Sequence, residues 1–307
     1  MDDPSDQFEE HRAHLESLGY RMLGSVAEAE DVVQDAYLRW HGVDRAAIDN
    51  PRAFLSKIVT RLCLDRMKSA QSRREIYVGP WLPEPLVTDA GFLSDPSETV
   101  ADDVSFALML ALERLSPLER AAFILRDVFD IEFDEIATAL DRSAATCRQL
   151  VSRARYHIKA ARPRFAVAPE DGARIAEAFF DAAHSGDPAA LRDMLAEAAS
   201  LHTDGGGRKP AALNVIAGAD KVGRYFAGLF RKGKAKHPLW TRRLIVNGLP
   251  GCATLERDGT LQTTALEIAD GRIAAIYVTR NPDKLGQLAP FLPGWVAAQH
   301  GLLSAET

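Results

Sequence analysis

The sequence predicts a multi-domain protein with two all-α modules, an N-terminal helical bundle and a helix-turn-helix, followed by a C-terminal α+β cone. Two observations predict the helical modules: apolar residues recur at three- and four-residue spacing, and two of the helices carry dense basic charge. A third predicts the α+β domain, because helical segments there precede strand-like runs that end in glycine turns. The chain of 307 residues is long enough for two or three domains.

Composition narrows the class of protein. A hydrophobic content of 47% excludes disorder throughout the chain. The longest apolar run, Phe106–Leu112, is far shorter than the roughly 20 residues that cross a bilayer, and the acidic segment Met1–Glu10 is unlike a signal peptide. The three cysteines are isolated and form no disulfide framework or metal-binding pair. We therefore expect a cytoplasmic protein without a membrane anchor, a metal or another cofactor.

The charge distribution says more than the net charge of −6, which by itself argues against a nucleic-acid partner. Seven basic residues and one acidic residue lie between Arg52 and Arg74, and six basic residues with no acidic one lie between Ser143 and Arg164. The intervening segment 71–105 has a net charge of −5. Two basic helices on either side of an acidic linker suit a protein that touches one duplex at two places. The alternative is that each run is a solvated helix face.

The first module, residues 5–70, combines helix faces of opposite charge. Helices are predicted at His11–Gly24 and Ala27–Gly42, and Asp49-Asn50-Pro51 predicts the start of a third. The second helix has an apolar stripe opposite a polar, mainly acidic face, which consists of Glu30, Asp31, Gln34 and Asp35. The third presents basic residues outward, namely Arg52, Lys57, Arg61, Arg66 and Lys68. This arrangement predicts two partners of opposite charge.

The linker, residues 71–105, contains the segment Trp81-Leu82-Pro83-Glu84-Pro85. A flexible tether favours glycine and serine, whereas this segment places an aromatic residue beside prolines. Because proline restricts the unbound chain, docking Trp81 costs little ordering entropy. The segment therefore either packs against a folded domain or serves as a stiff spacer.

The second module, residues 106–165, contains the strongest signal in the sequence. Ser116, Pro117 and Glu119 have capping-box spacing at the start of a helix predicted over Pro117–Val128. A short helix, Phe133–Leu140, then precedes a tight turn and a basic helix, as in a helix-turn-helix that enters a major groove. The residues placed to cap that helix or contact DNA are Ser143, Thr146, Arg148, Gln149, Ser152, Arg153 and Arg155. An ordinary helical hairpin is the competing interpretation.

The C-terminal region is divided into a domain, residues 170–290, and a tail, residues 291–307. Helices are predicted at Ala173–Ser185, Pro188–Ala198 and Lys221–Phe230. A short strand is expected at Ser200–Thr203, and a four-stranded meander follows at Trp240–Asn247, Cys252–Glu256, Leu261–Ala269 and Arg272–Thr279. Helices ahead of a curled antiparallel sheet predict an α+β cone.

The helical modules resemble bacterial sigma factors of the extracytoplasmic-function group in five segments: Ala29–Asp35, Asn50–Leu55, Leu115–Arg120, Phe133–Ala137 and Ser152–Arg155. The resemblance covers roughly residues 5–165. It implies that the face Glu30, Asp31, Gln34 and Asp35 docks on core RNA polymerase. It also implies that the third helix, with Asn50 and the basic residues that follow it, engages the −10 promoter element, and that the helix-turn-helix reads the −35 element. The polymerase performs the chemistry, so no enzymatic activity is expected of this chain.

The C-terminal region resembles the SnoaL-like domain, which extends one sigma-factor subgroup often called SigJ-like. Trp81-Leu82-Pro83-Glu84-Pro85, Asp204-Gly205-Gly206-Gly207 and Asn281-Pro282-Asp283-Lys284-Leu285 resemble three marks of that subgroup. The resemblance implies a promoter-specificity subunit that carries its own regulator. Two other classes remain open: a ligand-sensing helix-turn-helix regulator, and a SnoaL-type isomerase or cyclase fused to DNA-binding helices.

The sequence offers limited support for catalysis in the cone. The acid–base candidates are His184, His202, Asp204 and Tyr277, and no motif fixes any two of them as a pair. We therefore expect a regulatory or binding role, while a small ligand in the cone remains an open alternative. A basic cluster, Arg231, Lys232, Lys234 and Lys236, is expected to be a solvated loop, with a DNA or polymerase contact as the alternative.

Overall fold

The computed structural model describes residues 4–44, 48–74, 77–89, 105–159, 169–185, 188–231 and 237–302. The chain forms two compact units, a helical unit of Met1–Ile76 and Ala107–Arg162, and an α+β unit of Tyr77–Phe106 and Pro163–Thr307. The predicted linker therefore belongs largely to the α+β unit. Across the described ranges, we find no helix with the length and hydropathy needed to span a membrane.

The helical unit contains seven helices within its described residues, with α4 beginning one residue ahead of the unit. They are α1 (Pro4–Leu23), α2 (Val26–His41), α3 (Pro51–Arg74), α4 (Phe106–Glu113), α5 (Pro117–Phe123), α6 (Phe133–Leu140) and α7 (Ala144–Lys159), with a π-helical turn at Ile124–Val128. Helix α1 begins seven residues before the predicted start at His11. The added turns bury Phe8, whose ring lies 5.1 Å from that of Tyr37 on α2.

Local capping signals fix several helix starts as the sequence predicts. The Asn50 side chain accepts a hydrogen bond from the Ala53 amide at 3.1 Å, at the start of α3. Ser116 and Glu119 form the complete capping box of α5. Both predicted starts are confirmed. They could be predicted because each cap involves only residues within one helical turn.

The helix predicted over Pro117–Val128 is not regular throughout. Helix α5 ends at Phe123, and the next turn is π-helical, with the Phe129 amide donating to the Ile124 carbonyl at 3.1 Å. The wider turn keeps Ile124 and Leu125 buried while the chain leaves the helix. Tertiary packing, which the three- and four-residue spacing does not encode, decides this irregularity.

Within its described residues, the α+β unit is built on one sheet of seven strands. The strands are β1 (Val87–Asp89), β2 (Leu195–Asp204), β3 (Ile216–Ala217), β4 (Trp240–Val246), β5 (Leu249–Leu255), β6 (Leu261–Ala269) and β7 (Arg272–Thr279). Their order is β1-β4-β5-β6-β7-β2-β3, and only β2 and β7 pair in parallel. The helices of the unit are α8 (Pro169–Ser185), α9 (Pro188–Met194), α10 (Ala219–Arg231) and α11 (Gly294–His300).

The helix predicted over Pro188–Ala198 is wrong in its second half. Helix α9 ends at Met194, and β2 begins at once with Leu195, which pairs with Ile273 of β7. The alanines and the glutamate of residues 195–199 favour a helix in isolation. Pairing with β7, at Leu195 and again from Ser200 after a register shift, overrides that preference, and Leu195 and Ala199 are buried.

One apolar core joins the helices to the sheet. Phe179 of α8, Leu191 of α9 and Val222 of α10 pack in the same cluster as buried strand residues, including Leu201, Leu266 and Ile276. The Asp270-Gly271 turn has positive φ angles at both residues, as a tight hairpin requires. These features confirm the predicted fold class of helical modules with an α+β cone.

Candidate nucleic-acid interface and linker clasp

The polar face of α2 is exposed along its length. Glu30, Asp31, Gln34 and Asp35 all lie on the surface, opposite a buried stripe that includes Val32 and Val33. The structure therefore brings the four predicted polymerase-binding residues together on one face. They offer a surface that complements a basic partner.

Arg66 of α3 extends the face of α2 instead of standing apart from it. Its guanidinium lies 3.3 Å from a carboxylate oxygen of Asp31 and 3.3 Å from one of Asp35. It also donates to the Glu28 carbonyl. Because both carboxylates are largely exposed, these ion pairs are weak and can exchange for a partner's charges.

Arg61 of α3 contacts the helix-turn-helix. Its Nε donates to the Ala139 carbonyl at 3.1 Å, and its Nη2 donates to the Thr138 carbonyl at 3.2 Å. Both carbonyls belong to the last turn of α6, where unpaired backbone oxygens and the helix dipole favour a cation. We call Arg61 with these two carbonyls the latch. Arg61, which the sequence predicts to contact DNA, is therefore engaged in a contact within the protein.

The other predicted residues of α3 lie along its exposed or half-buried side. Asn50 is used in the cap at the start of the helix. Arg52 lies 3.2 Å from the His14 ring, and Lys68 forms an exposed ion pair with Asp65 at 3.0 Å. Lys57 is half-buried.

The helix-turn-helix presents one polar face. Asp141 adopts the left-handed conformation in the turn, with φ of 54°, and Ser143 accepts from the Thr146 amide at 3.1 Å as the cap of α7. Cys147 and Val151 are buried. The predicted DNA-contacting residues on the opposite side are exposed: Arg148, Gln149, Ser152, Arg153 and Arg155.

These exposed residues of α7 differ in their existing contacts. Arg155 forms two hydrogen bonds to the Asp127 carboxylate, at 2.7 and 2.8 Å, and the Arg148 guanidinium lies 5.2 Å from the centre of the Phe133 ring. Ser143 and Thr146 hydrogen-bond to each other within the cap. Gln149, Ser152 and Arg153 thus form the part of the face best placed for a new partner.

Arg120 is a buried structural residue of the helical unit whose role was not predicted from the sequence. It is 1% exposed, and burial lowers its pKa to about 9. It donates to the carbonyls of Met22 at 2.8 Å and Leu112 at 2.9 Å, and pairs with Glu113. It thereby ties the end of α1 to the end of α4, a contact that local sequence patterns do not reveal.

A second polar centre surrounds Asp204 in the α+β unit. The Asp204 carboxylate is fully buried and accepts from the Tyr77 hydroxyl at 2.6 Å, the Leu82 amide at 2.9 Å and Lys284 Nζ at 2.8 Å. Asn281 donates to the Tyr77 hydroxyl at 3.0 Å. We call Tyr77, Leu82, Asp204, Asn281 and Lys284 the clasp. It unites all three of the short motifs predicted to be regulatory.

Lys284 is the cation of the clasp. Its Nζ lies 4.3 Å from the centre of the Trp81 ring and 5.0 Å from that of Tyr77, so two aromatic faces shield the ion pair. It also donates to the Leu82 carbonyl. A buried carboxylate is tolerated here because it has both a counter-ion and hydrogen bonds.

The glycines after Asp204 allow the clasp to close. Gly206 has φ of +58°, and a Cβ there would lie 2.3 Å from the Asn281 amide nitrogen. A Cβ at Gly205 would lie 2.1 Å from the Lys209 carbonyl oxygen. A side chain at either position would collide with its neighbours, which explains the glycines at positions 205 and 206.

The linker is anchored to the α+β unit at a second place. Strand β1 pairs with β4, the Leu86 amide donates to the Asn247 side chain at 3.1 Å, and Asp89 pairs with Arg242 at 2.7 Å. Leu82, Pro83, Glu84 and Pro85 are buried. Of the two alternatives for this segment, the structure shows packing against a folded domain. Residues 75–76 and 90–104 of the predicted linker lie outside the described residues.

The remaining motif residues serve local geometry. Asn281 accepts from the Asp283 amide at 3.1 Å, Pro282 begins a 3-10 turn, and Leu285 is buried. Asp283 pairs with Arg208. Tyr77, by contrast, was missed by the sequence prediction, since it lies outside the three motifs. Burial raises the pKa of its hydroxyl, and the neighbouring Asp204 carboxylate raises it further.

Three of the acid–base candidates in the cone, His202, Asp204 and Tyr277, have structural partners. The Tyr277 hydroxyl donates to Glu267 at 2.6 Å, its ring stacks on Phe106 at 4.8 Å, and the His202 ring lies 5.2 Å away. Burial raises the pKa of Glu267. Asp204 belongs to the clasp. The side chains of His184, Lys232, Lys234 and Lys236 lie outside the described part of the chain, whereas Arg231 is exposed.

Comparisons with known proteins identify the same regions. The family models for Sigma-70 region 2 and Sigma-70 region 4 match residues 7–73 and 105–158. The ECF RNA polymerase sigma factor SigJ of Mycobacterium tuberculosis is 38% identical over 91% of this chain and 92% of its own length. The probable ECF sigma factor SigI of the same species is 34% identical over 92% and 95%.

A solved structure shows a likeness over most of the chain. The crystal structure of Mycobacterium tuberculosis SigJ covers 92% of this chain and 98% of its own, with 35% identity and a TM-score of 0.74. Sequence and structure agree over both units. The chain therefore belongs to the extracytoplasmic-function RNA polymerase sigma factors.

Proposed function

We propose that this protein binds core RNA polymerase, directs it to specific promoters, and is regulated in cis by its own α+β unit. The observation that carries the proposal is the coincidence of the two Sigma-70 matches with the charged faces of the helical unit. The face of α2 offers negative charge to the polymerase, and α3 and α7 offer positive charge to DNA. The protein acts without catalysis, in the cytoplasm, where the polymerase works.

We assign the following roles to the residues predicted from the sequence. Glu30, Asp31, Gln34 and Asp35 bind the polymerase. Asn50, Arg52, Lys57, Arg61, Arg66 and Lys68 engage the −10 element. On α7, Gln149 and Arg153 contact base edges in the −35 element, and the neighbouring polar residues hold phosphates.

Regulation in cis is supported by the clasp. The segment that joins the two Sigma-70 regions along the chain is bound to the α+β unit through Leu82 and β1. A bound linker has fewer conformations than a free one, so it limits the arrangements that the two DNA-binding modules can adopt. Opening the clasp would therefore change promoter use by the polymerase.

Transcription in vitro with core polymerase tests both parts of the proposal. The full chain should support initiation from a matched promoter, and K284M, which removes the ammonium but keeps the stem, should change its extent. K221M, at an exposed lysine of α10, is the matched control and should behave as the unaltered chain. Absence of polymerase-dependent initiation would contradict the sigma-factor role. Identical transcription by K284M and the unaltered chain would contradict regulation through the clasp.

Arg153 and Arg155 allow a test within α7. R153A should weaken binding of the polymerase complex to the −35 element by about 1–3 kcal/mol if Arg153 reads bases. R155A should cost less, because Arg155 already pairs with Asp127. Binding measured by fluorescence anisotropy against matched and altered −35 sequences separates base contacts from phosphate contacts. Equal affinities for R153A and the unaltered protein would show that α7 does not read this element.

A further inference from the structure

Phe133, the first residue of α6, contacts the helix that is proposed to bind the −35 element. The guanidinium groups of Arg126 and Arg148 each lie 5.2 Å from the centre of its half-buried ring. Distances of this size are typical of cation–π contacts, in which a guanidinium lies over the face of an aromatic ring. None of the roles proposed above uses Phe133, although it contacts an exposed residue of α7.

The two arginines at this ring differ in the charges around them. Arg126 lies 3.3 Å from a carboxylate oxygen of Asp130 and 3.1 Å from one of Glu132, and it donates to the Ile131 carbonyl at 3.1 Å. Two carboxylates therefore offset its charge. Arg148 is exposed, and no ion pair joins it to a carboxylate within the described residues. The cluster thus leaves the positive charge of Arg148 available to a partner.

Arg148 lies at the edge of the polar face of α7. The middle of that face, opposite the buried Val151, consists of Gln149, Ser152 and Tyr156, which are exposed and recur at three- and four-residue spacing. Arg148 precedes Gln149 and is therefore turned about 100° around the helix axis from it. When the middle of a recognition helix enters the major groove, a side chain at its edge faces the phosphates that border the groove.

Arg155 shares this edge of α7 but is held in a different way. It lies seven residues after Arg148, which is about two helical turns. Its Nε and Nη2 donate to the Asp127 carboxylate at 2.8 and 2.7 Å. This pairing uses two of its N–H groups and offsets its charge. The Phe133 ring, by contrast, contacts the face of the Arg148 guanidinium, so the N–H groups in the guanidinium plane and the positive charge stay available.

We propose that Phe133 is a positioning residue that holds the Arg148 guanidinium for a backbone phosphate of the −35 element. A guanidinium binds a phosphate through two parallel N–H groups that lie in its plane. Contact with the ring restricts that plane before DNA arrives, so Arg148 loses less side-chain freedom on binding. This inference rests on the proposed role of α7 in binding promoter DNA.

A double-mutant cycle on the full chain, bound to core RNA polymerase, tests the inference. Fluorescence anisotropy measures the affinity for a labelled −35 duplex of the unaltered chain, F133L, R148M and the double variant. R148M should bind about tenfold more weakly, the loss expected from one charge-assisted contact. F133L removes the ring but keeps an apolar side chain, and should bind about threefold more weakly. In the R148M background, F133L should have no further effect.

The cycle separates positioning of Arg148 from general support of the fold. If Phe133 only stabilises α6, F133L weakens binding equally with and without Arg148, and that result would overturn the inference. F133Y keeps the ring and should bind no more weakly than the unaltered chain, whereas a loss equal to that of F133L would also overturn it. Thermal unfolding identifies any variant that fails to fold, and F133M then replaces F133L.

Salt dependence identifies the group that Arg148 contacts on the DNA. R148M should reduce the slope of log affinity against log salt concentration by about 0.9, the value for one phosphate contact. It should weaken binding by the same factor for matched and altered −35 sequences. R174M, at an exposed arginine of α8, controls for the loss of one positive charge and should change neither quantity. An unchanged slope in R148M, or a loss confined to the matched sequence, would overturn the phosphate contact.

Comparison with R153A separates failure of this inference from failure of the proposed function. If neither R153A nor R148M weakens binding, α7 does not contact the −35 element, and the proposed function of this helix fails together with the inference. If R148M weakens binding and F133L does not, the role of α7 stands and the positioning role of Phe133 is overturned.

Discussion

The helical unit and the α+β unit place their charged contacts at different depths. In the helical unit, Arg61, Arg66 and Arg155 all make contacts that include exposed groups. In the α+β unit, the Asp204 carboxylate is fully buried and its partner Lys284 is 13% exposed. Contacts on the surface exchange readily with a partner's groups, because water and salt weaken them. The buried clasp breaks only at a large cost.

Arg120 shows that the depth of a charged contact depends more on the role of the residue than on the unit it belongs to. It is buried within the helical unit and binds backbone carbonyls of α1 and α4. It makes no part of the predicted interface with DNA or polymerase. Arg120 and Asp204, which hold the scaffold, are buried, whereas most of the charged residues predicted to meet partners are exposed.

The largest effect is expected at the centre of the clasp. D204A leaves the Tyr77 hydroxyl, the Leu82 amide and the Lys284 ammonium without their acceptor, and should lower the free energy of unfolding of the α+β unit by about 3–5 kcal/mol. Urea denaturation followed by tryptophan fluorescence measures the loss. D220A, which removes an exposed ion pair with Arg192, is the control. Similar losses in the two variants would remove the distinction between buried and exposed contacts.

A smaller effect is expected at the glycine beside the clasp. G206A should destabilise the protein by about 2–3 kcal/mol, because its Cβ meets the Asn281 side chain and its φ is positive. Gly259 also has a positive φ, of +76°, but open space around it, so G259A should cost only about 1 kcal/mol. The difference in stability between G206A and G259A, measured by thermal or urea unfolding, gives the steric contribution at Gly206. Equal losses of stability in the two variants would show that there is none.

An intermediate effect that depends on pH is expected at His14, which lies on α1 and is half-buried against α3. Its pKa is lowered to about 4, by burial first and then by Arg52, His11 and Arg21. As pH falls from about 6.5 to about 4, His14 is protonated in the unfolded chain but stays neutral in the folded one. The free energy of unfolding therefore decreases across this pH range and is highest above it. We expect a loss of about 1–2 kcal/mol after solvent screening.

The pH effect is measured by urea denaturation at pH 7 and about pH 4.5. H14Q retains a polar contact for Ser56, which lies 3.0 Å from the His14 ring, and should reduce the difference in stability between the two pH values. An unchanged pH dependence in H14Q would assign the effect to other groups.

The smallest effect is expected at the latch. R61Q should lower the free energy of unfolding of the helical unit by at most about 1 kcal/mol, because part of the contact is exposed. K57Q, on the same helix, is the control for loss of one positive charge. Urea denaturation at low and high salt provides the measurement. A loss as large as that of D204A would show that the latch is a rigid part of the scaffold and not an exchangeable contact.

Much of the fold could be predicted from short-range patterns. The capping residues Asn50 and Ser116 fix helix starts within one turn, and Asp270-Gly271 fixes a hairpin. The failures have a common cause. The strand begins at Leu195 because that residue pairs with Ile273 of β7, and the π-helical turn after Phe123 depends on core packing. Contacts between distant segments do not appear in local spacing.

The candidate sites divide in the same way. Spacing along α2 and α7 places the predicted residues on exposed faces, because one helix face follows directly from the 3.6-residue period. It does not reveal that Arg61 contacts α6 or that Arg155 pairs with Asp127. Tyr77 and Arg120 were missed, since the contacts that define their roles, with Asp204 and Met22, span 127 and 98 positions of the sequence. The roles of these faces in binding polymerase and DNA stay predictions.

The sequence by itself determined the family, the order of the modules and the charge of each helix face, because motifs and helical periodicity are local properties. Only the tertiary structure decided how three separate motifs act together. Trp81-Leu82-Pro83-Glu84-Pro85, Asp204-Gly205-Gly206-Gly207 and Asn281-Pro282-Asp283-Lys284-Leu285 meet around one buried carboxylate. A buried charge requires several donors at once, and only the folded chain brings such distant donors within hydrogen-bonding distance.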